Sequence, residues 1–184
     1  CAPGKPSPGG SGDGVDVAVA REHDHRVESV RPERLSAADA SNIEIDAADL
    51  AIEIAAGVYY KAWPFGGAVP GPTIRAKQGQ TIRVVLTNTS TMPHSIDFHA
   101  ALTPPNLHFA DIMPGEKIEF EFEAKIPGAF VYHCGTAPVL LHMANGMYGA
   151  IIVDPVDKPL PHAHRQYVVV QGERNTQQIS QNLI

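Results

Sequence analysis

Apolar and polar residues alternate with a period of two along much of the chain from residue 42 onward. The clearest run is Lys117–Ala124, in which Ile118, Phe120 and Phe122 share one face and three glutamates share the other. Alternation of this kind predicts a β-strand with one buried face and one solvated face. Further runs with strand character are IEIDA, LAIEIAA, VYYKAWPF, TIRVVLTN, AFVYHC, YGAIIVD and QYVVVQ.

Glycine and proline fall between these runs, at Gly66-Gly67, Pro70-Gly71, Pro114-Gly115 and Pro127-Gly128. Both residues favour turns, so the pattern predicts seven or eight short strands in an antiparallel sandwich or barrel. We place this domain at residues 42–158. Residues 1–41 begin with a Gly/Pro/Ser-rich stretch and continue with charged residues, which predicts a disordered tether. Residues 159–184 form a connector followed by one more strand.

Composition excludes several classes of function. The 184 residues carry a net charge of −6, which argues against a nucleic-acid partner because phosphate binding needs basic patches. Apolar runs are all shorter than the roughly 20 residues that a membrane-spanning helix requires. Cys1 followed by a Pro/Gly/Ser spacer looks like a mature bacterial lipoprotein, so we expect an exported, envelope-facing protein that is lipid-anchored at Cys1. The alternative is that Cys1 marks an arbitrary boundary. His23 and His25 in the tether are either solvated surface residues or a weak metal-capture site.

The candidate chemistry lies in two short segments, Pro93–His99 and Tyr132–Met147. The second contains Cys134, then His142 eight residues later and Met147 five residues after that. Two imidazoles, a thiolate and a weak axial thioether are the ligands of a type 1 copper centre. We therefore predict a type 1 copper held by His94, Cys134, His142 and Met147. Zinc would give the methionine no role.

Alternation of side chains predicts a second site. If Pro93–His99 is extended, Asp97 and His99 lie at odd separations from His94 and point to the opposite face. His133 and Cys134 are neighbours and must also point to opposite faces. Asp97, His99 and His133 would then meet on the reverse side, where a second metal could bind. The alternative is that they are ordinary polar residues on an outer face.

These residues resemble a family, the N-terminal cupredoxin domain of copper nitrite reductases and related two-domain multicopper oxidases. The resemblance covers roughly residues 43–173 and is carried by Phe65–Pro72, Pro93–His99, Phe130–Met147 and Gly149–Val153. It implies an all-β, cupredoxin-like Greek-key sandwich or barrel. It also implies that His99 and His133 are two of three ligands of a type 2 copper, with Asp97 as the acid/base residue.

The same resemblance implies that the third type 2 ligand comes from a second cupredoxin domain, and that such proteins form trimers. Here the chain ends soon after Gln166–Glu173, which is similar to the start of that domain. Another domain or chain would supply the missing ligand, or His108, His162 or His164 would replace it.

Three functions follow as hypotheses. The first is a copper oxidoreductase of the nitrite reductase type, in which electrons pass from the type 1 site through Cys134 and His133 to the type 2 site. The second is a membrane-tethered blue-copper electron carrier that serves a respiratory redox partner and has no catalysis of its own. The third, copper storage or delivery, fits a loop-enclosed thiolate site least well.

Overall fold

The computed structural model describes residues 41–102, 109–158 and 160–173. Within these ranges the chain forms nine strands and one helix. Their bounds are β1 Asn42–Ala47, β2 Leu50–Ala55, β3 Val58–Ala62, β4 Ile74–Lys77, β5 Thr81–Asn88, β6 Asp97–Phe98, β7 Lys117–Glu123, β8 Gly128–His133, α1 Val139–Ala144 and β9 Tyr148–Asp154.

One sheet has the strand order β1-β5-β7, with β1 parallel and β7 antiparallel to β5. Its alternation is the one predicted from sequence. Phe120 and Phe122 are buried, whereas the glutamates between and beside them are exposed. In β5, Ile82, Val84 and Leu86 are fully buried. Because side chains two residues apart share a face, these strands turn one apolar surface towards the core.

A second sheet has the order β4-β9-β8-β6, in which β8 pairs antiparallel with both of its neighbours. Aromatic rings connect it to the first sheet. Phe98 in β6 lies 5.2 Å from Phe122 of β7 and 5.2 Å from Tyr132 of β8, measured between ring centroids. The two sheets thus share one apolar core, and the predicted all-β, cupredoxin-like fold is confirmed.

Strands β2 and β3 form a separate two-stranded ribbon with a register shift between Glu53 and Ala55. The shift lies beside Gly57, whose φ of 72° belongs to the left-handed region that glycine adopts at low cost. Several apolar side chains here are exposed, among them Tyr59. The ribbon leads into Trp63 and Phe65, which pack against or within the core.

One local expectation was wrong, and one short element was not predicted. Gln166–Gln171 forms no strand in the structure, although its composition is that of one. A strand is defined by hydrogen bonds to a neighbouring strand, so β propensity alone does not produce one. Helix α1 was not predicted, because six residues are too few to show a helical period.

Several predictions concern residues outside the described ranges. These are the tether with Cys1, His23 and His25, and also His108. The lipid anchor, the envelope location and the domain boundaries stay predictions. In the described part of the chain, no helix has the length and apolarity needed to cross a membrane.

Candidate metal centre

Three separate elements position the first group of candidate ligands. His94 lies beyond the end of β5 and forms a two-bond bridge with Ile112, at N–O distances of 3.1 and 2.8 Å. Cys134 immediately follows β8, and His142 lies in α1. The Cys134 N–H donates to the carbonyl of Met147 at 3.1 Å, and the Met147 N–H donates to the carbonyl of His142 at 3.2 Å. The backbone of the ligand loop is therefore folded back onto the end of β8.

The side chains of this group, which we call the buried cluster, converge through one atom each. His94 Nδ1 lies 3.1 Å from His142 Nδ1, and Cys134 Sγ lies 3.4 Å from His142 Nδ1 and 4.0 Å from His94 Nδ1. His94 and Cys134 are 0% exposed and His142 is 2% exposed. Met147 is also fully buried. Two imidazole nitrogens and one thiolate sulfur, with a thioether nearby in the chain, are a donor set that fits type 1 copper.

The environment favours the protonation states that a metal needs. Burial raises the pKa of the Cys134 thiol, but hydrogen bonds from His94, Thr136 and the Ser95 backbone outweigh it and hold that pKa below its usual value. Burial also lowers the pKa of His142, an effect that Asp111 partly opposes. Metals bind thiolate and neutral imidazole, so both shifts reduce the competition from protons.

Two further residues support the buried cluster, and neither could be recognised from the sequence. The Trp63 ring lies 5.9 Å from the His94 ring and 5.3 Å from the His142 ring, between centroids. Asn88 is fully buried and donates to the carbonyls of Met92 and Ile112, at 2.8 and 2.9 Å. Asn88 thereby connects the end of β5 to both sides of the bridge at His94.

A second group, the open cluster, consists of Asp97, His99 and His133. One ligand atom of each lies within 4.8 Å of the others. Asp97 and His133 are directly paired across β6 and β8, and His99 Nε2 lies 2.9 Å from His133 Nε2. His133 Nδ1 lies 2.9 Å from the Cys134 carbonyl oxygen, so an N–H at Nδ1 leaves the lone pair of Nε2 for a metal. His99 is exposed, and the other two are half-buried.

The residues predicted to share a face are grouped in the structure as expected, although the segment that carries three of them is not one continuous strand. Pro93–His99 is not one continuous strand, because only Asp97–Phe98 is paired as a strand and His94 sits in an isolated bridge. The two separate pairings still place His94 on one side and Asp97 with His99 on the other.

Two of the three proposed replacements for a third ligand, His162 and His164, are not in place, and His108 lies outside the described residues. His162 and His164 are exposed, and their rings contact each other, with centroids 5.7 Å apart. In the part of the chain that the structure describes, neither belongs to a group of potential metal ligands.

A chain of polar side chains behind Cys134 was also missed by sequence reasoning. Ser95 and Thr136 are buried, and Thr136 Oγ1 lies 3.1 Å from Ser95 Oγ and 2.7 Å from Asp111 Oδ1. Ser95 also donates its backbone N–H towards Cys134 Sγ at 3.5 Å. Ser95, Asp111 and Thr136 are 16 to 41 positions apart in sequence, so their contacts could not be predicted from the sequence.

Known proteins with similar sequences are copper enzymes. The chain is 40% identical over 134 residues to a copper-containing nitrite reductase of Neisseria meningitidis, covering 71% of this chain and 34% of that protein. It is 39% identical over 105 residues to the copper-containing nitrite reductase of Alcaligenes xylosoxydans, covering 55% of this chain and 32% of that protein. This chain therefore spans about a third of the length of the curated relatives that it matches.

Solved structures agree with these sequence relatives. The copper nitrite reductase from Nitrosomonas europaea superposes with a TM-score of 0.67 at 43% identity, covering 68% of this chain and 46% of that one. A multicopper oxidase structure superposes with a TM-score of 0.62 at 35% identity, covering 67% and 45% respectively. The pattern of the multicopper oxidase family matches residues 47–158, which include both clusters. This chain belongs to the multicopper oxidase family.

Proposed function

We propose that this chain is the type 1 copper part of a copper oxidoreductase of the nitrite reductase type. The observation that carries the proposal is that the neighbours His133 and Cys134 belong to different clusters. One peptide bond therefore joins a donor group of the buried cluster to a donor group of the open cluster. Copper bound at the two clusters supplies one-electron redox chemistry and, at the open cluster, a Lewis acid for an oxyanion such as nitrite.

Each residue has a distinct role in this proposal. His94, Cys134 and His142 would hold the type 1 copper, with the Met147 thioether as a weaker fourth donor. His99 and His133 hold the type 2 copper. The Asp97 carboxylate, paired across the strands with His133, holds the proton that a bound oxyanion needs.

The open cluster needs at least one more ligand. Among the described residues it contains two imidazoles and one carboxylate, and its histidine at position 99 is exposed. A second cupredoxin domain or another copy of the chain supplies the third imidazole.

A second candidate function rests on the difference between the clusters. The buried cluster holds two imidazoles and a thiolate from this chain, whereas the open cluster holds two imidazoles and a carboxylate among the described residues. With these donors, the chain can serve as a type 1 copper electron carrier even when no metal binds at the open cluster.

Electron paramagnetic resonance of the copper-loaded protein, with copper counted per chain, separates the two functions. The enzyme proposal predicts a narrow-hyperfine signal together with a wide-hyperfine signal that changes when nitrite is added. A narrow-hyperfine signal alone at one copper per chain would refute the enzyme proposal for this polypeptide and support the electron carrier.

Two variants test the assignment of residues. Cys134→Ser removes the thiolate, so the intense visible absorption of the copper-loaded protein should disappear; its retention would refute the type 1 assignment. His99→Ala should keep that absorption and lose the wide-hyperfine signal. If His99→Ala bleaches the protein instead, the division into two clusters is wrong. His164→Ala, at an exposed histidine outside both clusters, is the matched control and should change neither property.

A further inference from the structure

Asn145 connects the β2-β3 ribbon to the loop between His142 and Met147. The Tyr60 hydroxyl donates to Asn145 Oδ1 at 2.9 Å, and the Trp63 N–H donates to the Asn145 carbonyl at 2.8 Å. Tyr60 lies in β3, and Trp63 follows directly after it. The ribbon is a sheet of its own, so these two bonds join a separate structural unit to the loop that carries two of the four proposed copper donors.

Asn145 also closes the end of helix α1. Its backbone N–H and its side-chain Nδ2 both donate to the Leu141 carbonyl, at 3.1 and 2.8 Å. A carbonyl accepts hydrogen bonds only from the NH₂ end of an amide, so Oδ1 is left to face the Tyr60 hydroxyl. The orientation of the amide is therefore fixed, with one end on the helix and the other on the ribbon.

Helix α1 has little packing of its own to hold it in place. It is six residues long, and His142 is its only buried residue. By contrast, Cys134 directly follows β8, and His94 lies in a backbone bridge to Ile112. Segments with few buried apolar contacts open locally at low free-energy cost. The helix is thus the donor-bearing element whose position depends most on hydrogen bonds such as those of Asn145.

We propose that Asn145 is a positioning residue that holds the copper loop against the ribbon, and that copper leaves the buried cluster when the bond between Tyr60 and Asn145 opens. This inference rests on the type 1 site proposed above. Because the donors of that site are 0–2% exposed, a metal ion can leave only after local opening. A hydrogen bond of about 1 kcal/mol that is lost in the open loop lowers the population of that state about fivefold.

Tyr60→Phe removes the hydroxyl and keeps the ring. Among the described residues, that hydroxyl has no hydrogen-bond partner other than Asn145. We expect this variant to release copper about five times faster than the parent protein. Asn145→Ala loses the bonds to Tyr60 and Leu141 and should release copper faster still. The double variant should be no faster than Asn145→Ala, because the hydroxyl acts through the amide.

General destabilisation is the competing explanation, since unfolding of the domain also releases the metal. Val84→Ala distinguishes the two, because Val84 is fully buried in β5, in the other large sheet, and its truncation lowers stability without changing the loop. The proposal expects Val84→Ala to release copper at nearly the parent rate. Tyr59→Phe is the matched control in the ribbon, since Tyr59 is 66% exposed, and it should also keep the parent rate.

The measurement is the decay of the visible absorption of each Cu(II)-loaded protein after addition of excess EDTA, with urea unfolding of the metal-free protein as the measure of stability. Faster release from Tyr60→Phe, no further gain in the double variant and a slow Val84→Ala support the proposal. A parent rate for Tyr60→Phe, additive effects, or release that follows stability across all variants would overturn it and leave the type 1 assignment intact. A parent protein without an intense visible band would overturn both.

Discussion

The substitution Gly149→Ala should strongly destabilise the fold that positions both clusters. It lies in β9 directly opposite Tyr132 of β8. A Cβ at Gly149 would overlap Cζ and Oη of Tyr132 and would lie 2.6 Å from its Cε1. The Tyr132 ring has no free space to move into, because it is 0% exposed and stacks on Phe98 and Phe65. Its hydroxyl donates to the Pro72 carbonyl at 2.7 Å.

The cost of Gly149→Ala follows from these contacts. Overpacking a well-packed core costs about 1–3 kcal/mol. A displaced ring also loses the hydrogen bond to Pro72, which contributes about 1 kcal/mol. We expect the free energy of unfolding to fall by about 2–4 kcal/mol, a large part of the stability of a domain of this size. Because Tyr132 directly precedes His133 and Cys134, the copper-dependent absorption should weaken as well.

Urea unfolding of the metal-free protein, followed by Trp63 fluorescence, measures this loss. Gly135→Ala is the control, since its added Cβ would only touch Ser95 Oγ at 3.4 Å and should change stability by less than about 0.5 kcal/mol. Tyr132→Leu makes room for the methyl group, so Gly149→Ala should cost far less in that background. A Gly149→Ala protein within about 0.5 kcal/mol of the parent would refute the argument, as would an unchanged cost beside Leu at position 132.

Three further changes have expected outcomes. Asn88→Ala removes donors from two carbonyls and should lower the free energy of unfolding by about 3 kcal/mol in urea; a loss below about 1 kcal/mol would contradict its supporting role. Tyr132→Phe keeps the ring and should cost only about 1 kcal/mol in the same assay, because it leaves the Pro72 carbonyl without its donor. Trp63 is the only tryptophan and lies beside both imidazoles of the buried cluster, so Cu(II) should quench the fluorescence of the protein, and Cys134→Ser should abolish that response at equal copper. Equal quenching in the Cys134→Ser protein would place the bound copper elsewhere.

The parts of the fold that could be predicted are those in which a local pattern decides the outcome. The apolar face of β7 depends only on alternation, and the assignment of residues to two clusters depends only on which neighbours share a face. The prediction of two clusters holds although Pro93–His99 is not a continuous strand. The bridge at His94 and the strand pairing at Asp97 place these two side chains on opposite sides.

The parts that could not be predicted depend on partners distant in sequence. In the sequence, Asn88 looks like an ordinary residue at the end of a strand. Its supporting role follows from the hydrogen bond that its side-chain amide donates to the Ile112 carbonyl at 2.9 Å. Asp111 looks like an ordinary surface acid in the sequence, and its contact with Thr136 connects it to the ligand loop. Gln166–Gln171 shows the converse, because a segment with strand composition forms no strand without neighbouring strand hydrogen bonds.

The difference in burial between the clusters gives a reason for their division of roles that does not depend on the relatives. The donors of the buried cluster are 0–2% exposed, which fits the electron-transfer role proposed for it because molecules from solvent have no direct access to these side chains. The open cluster has an exposed histidine and a half-buried carboxylate, which fits the oxyanion binding proposed for it. Adjacent residues at the end of β8 belong to these two environments because successive side chains point to opposite faces. The alternation of a single strand end thus separates a buried group of donors from a solvent-accessible group, while keeping them one peptide bond apart.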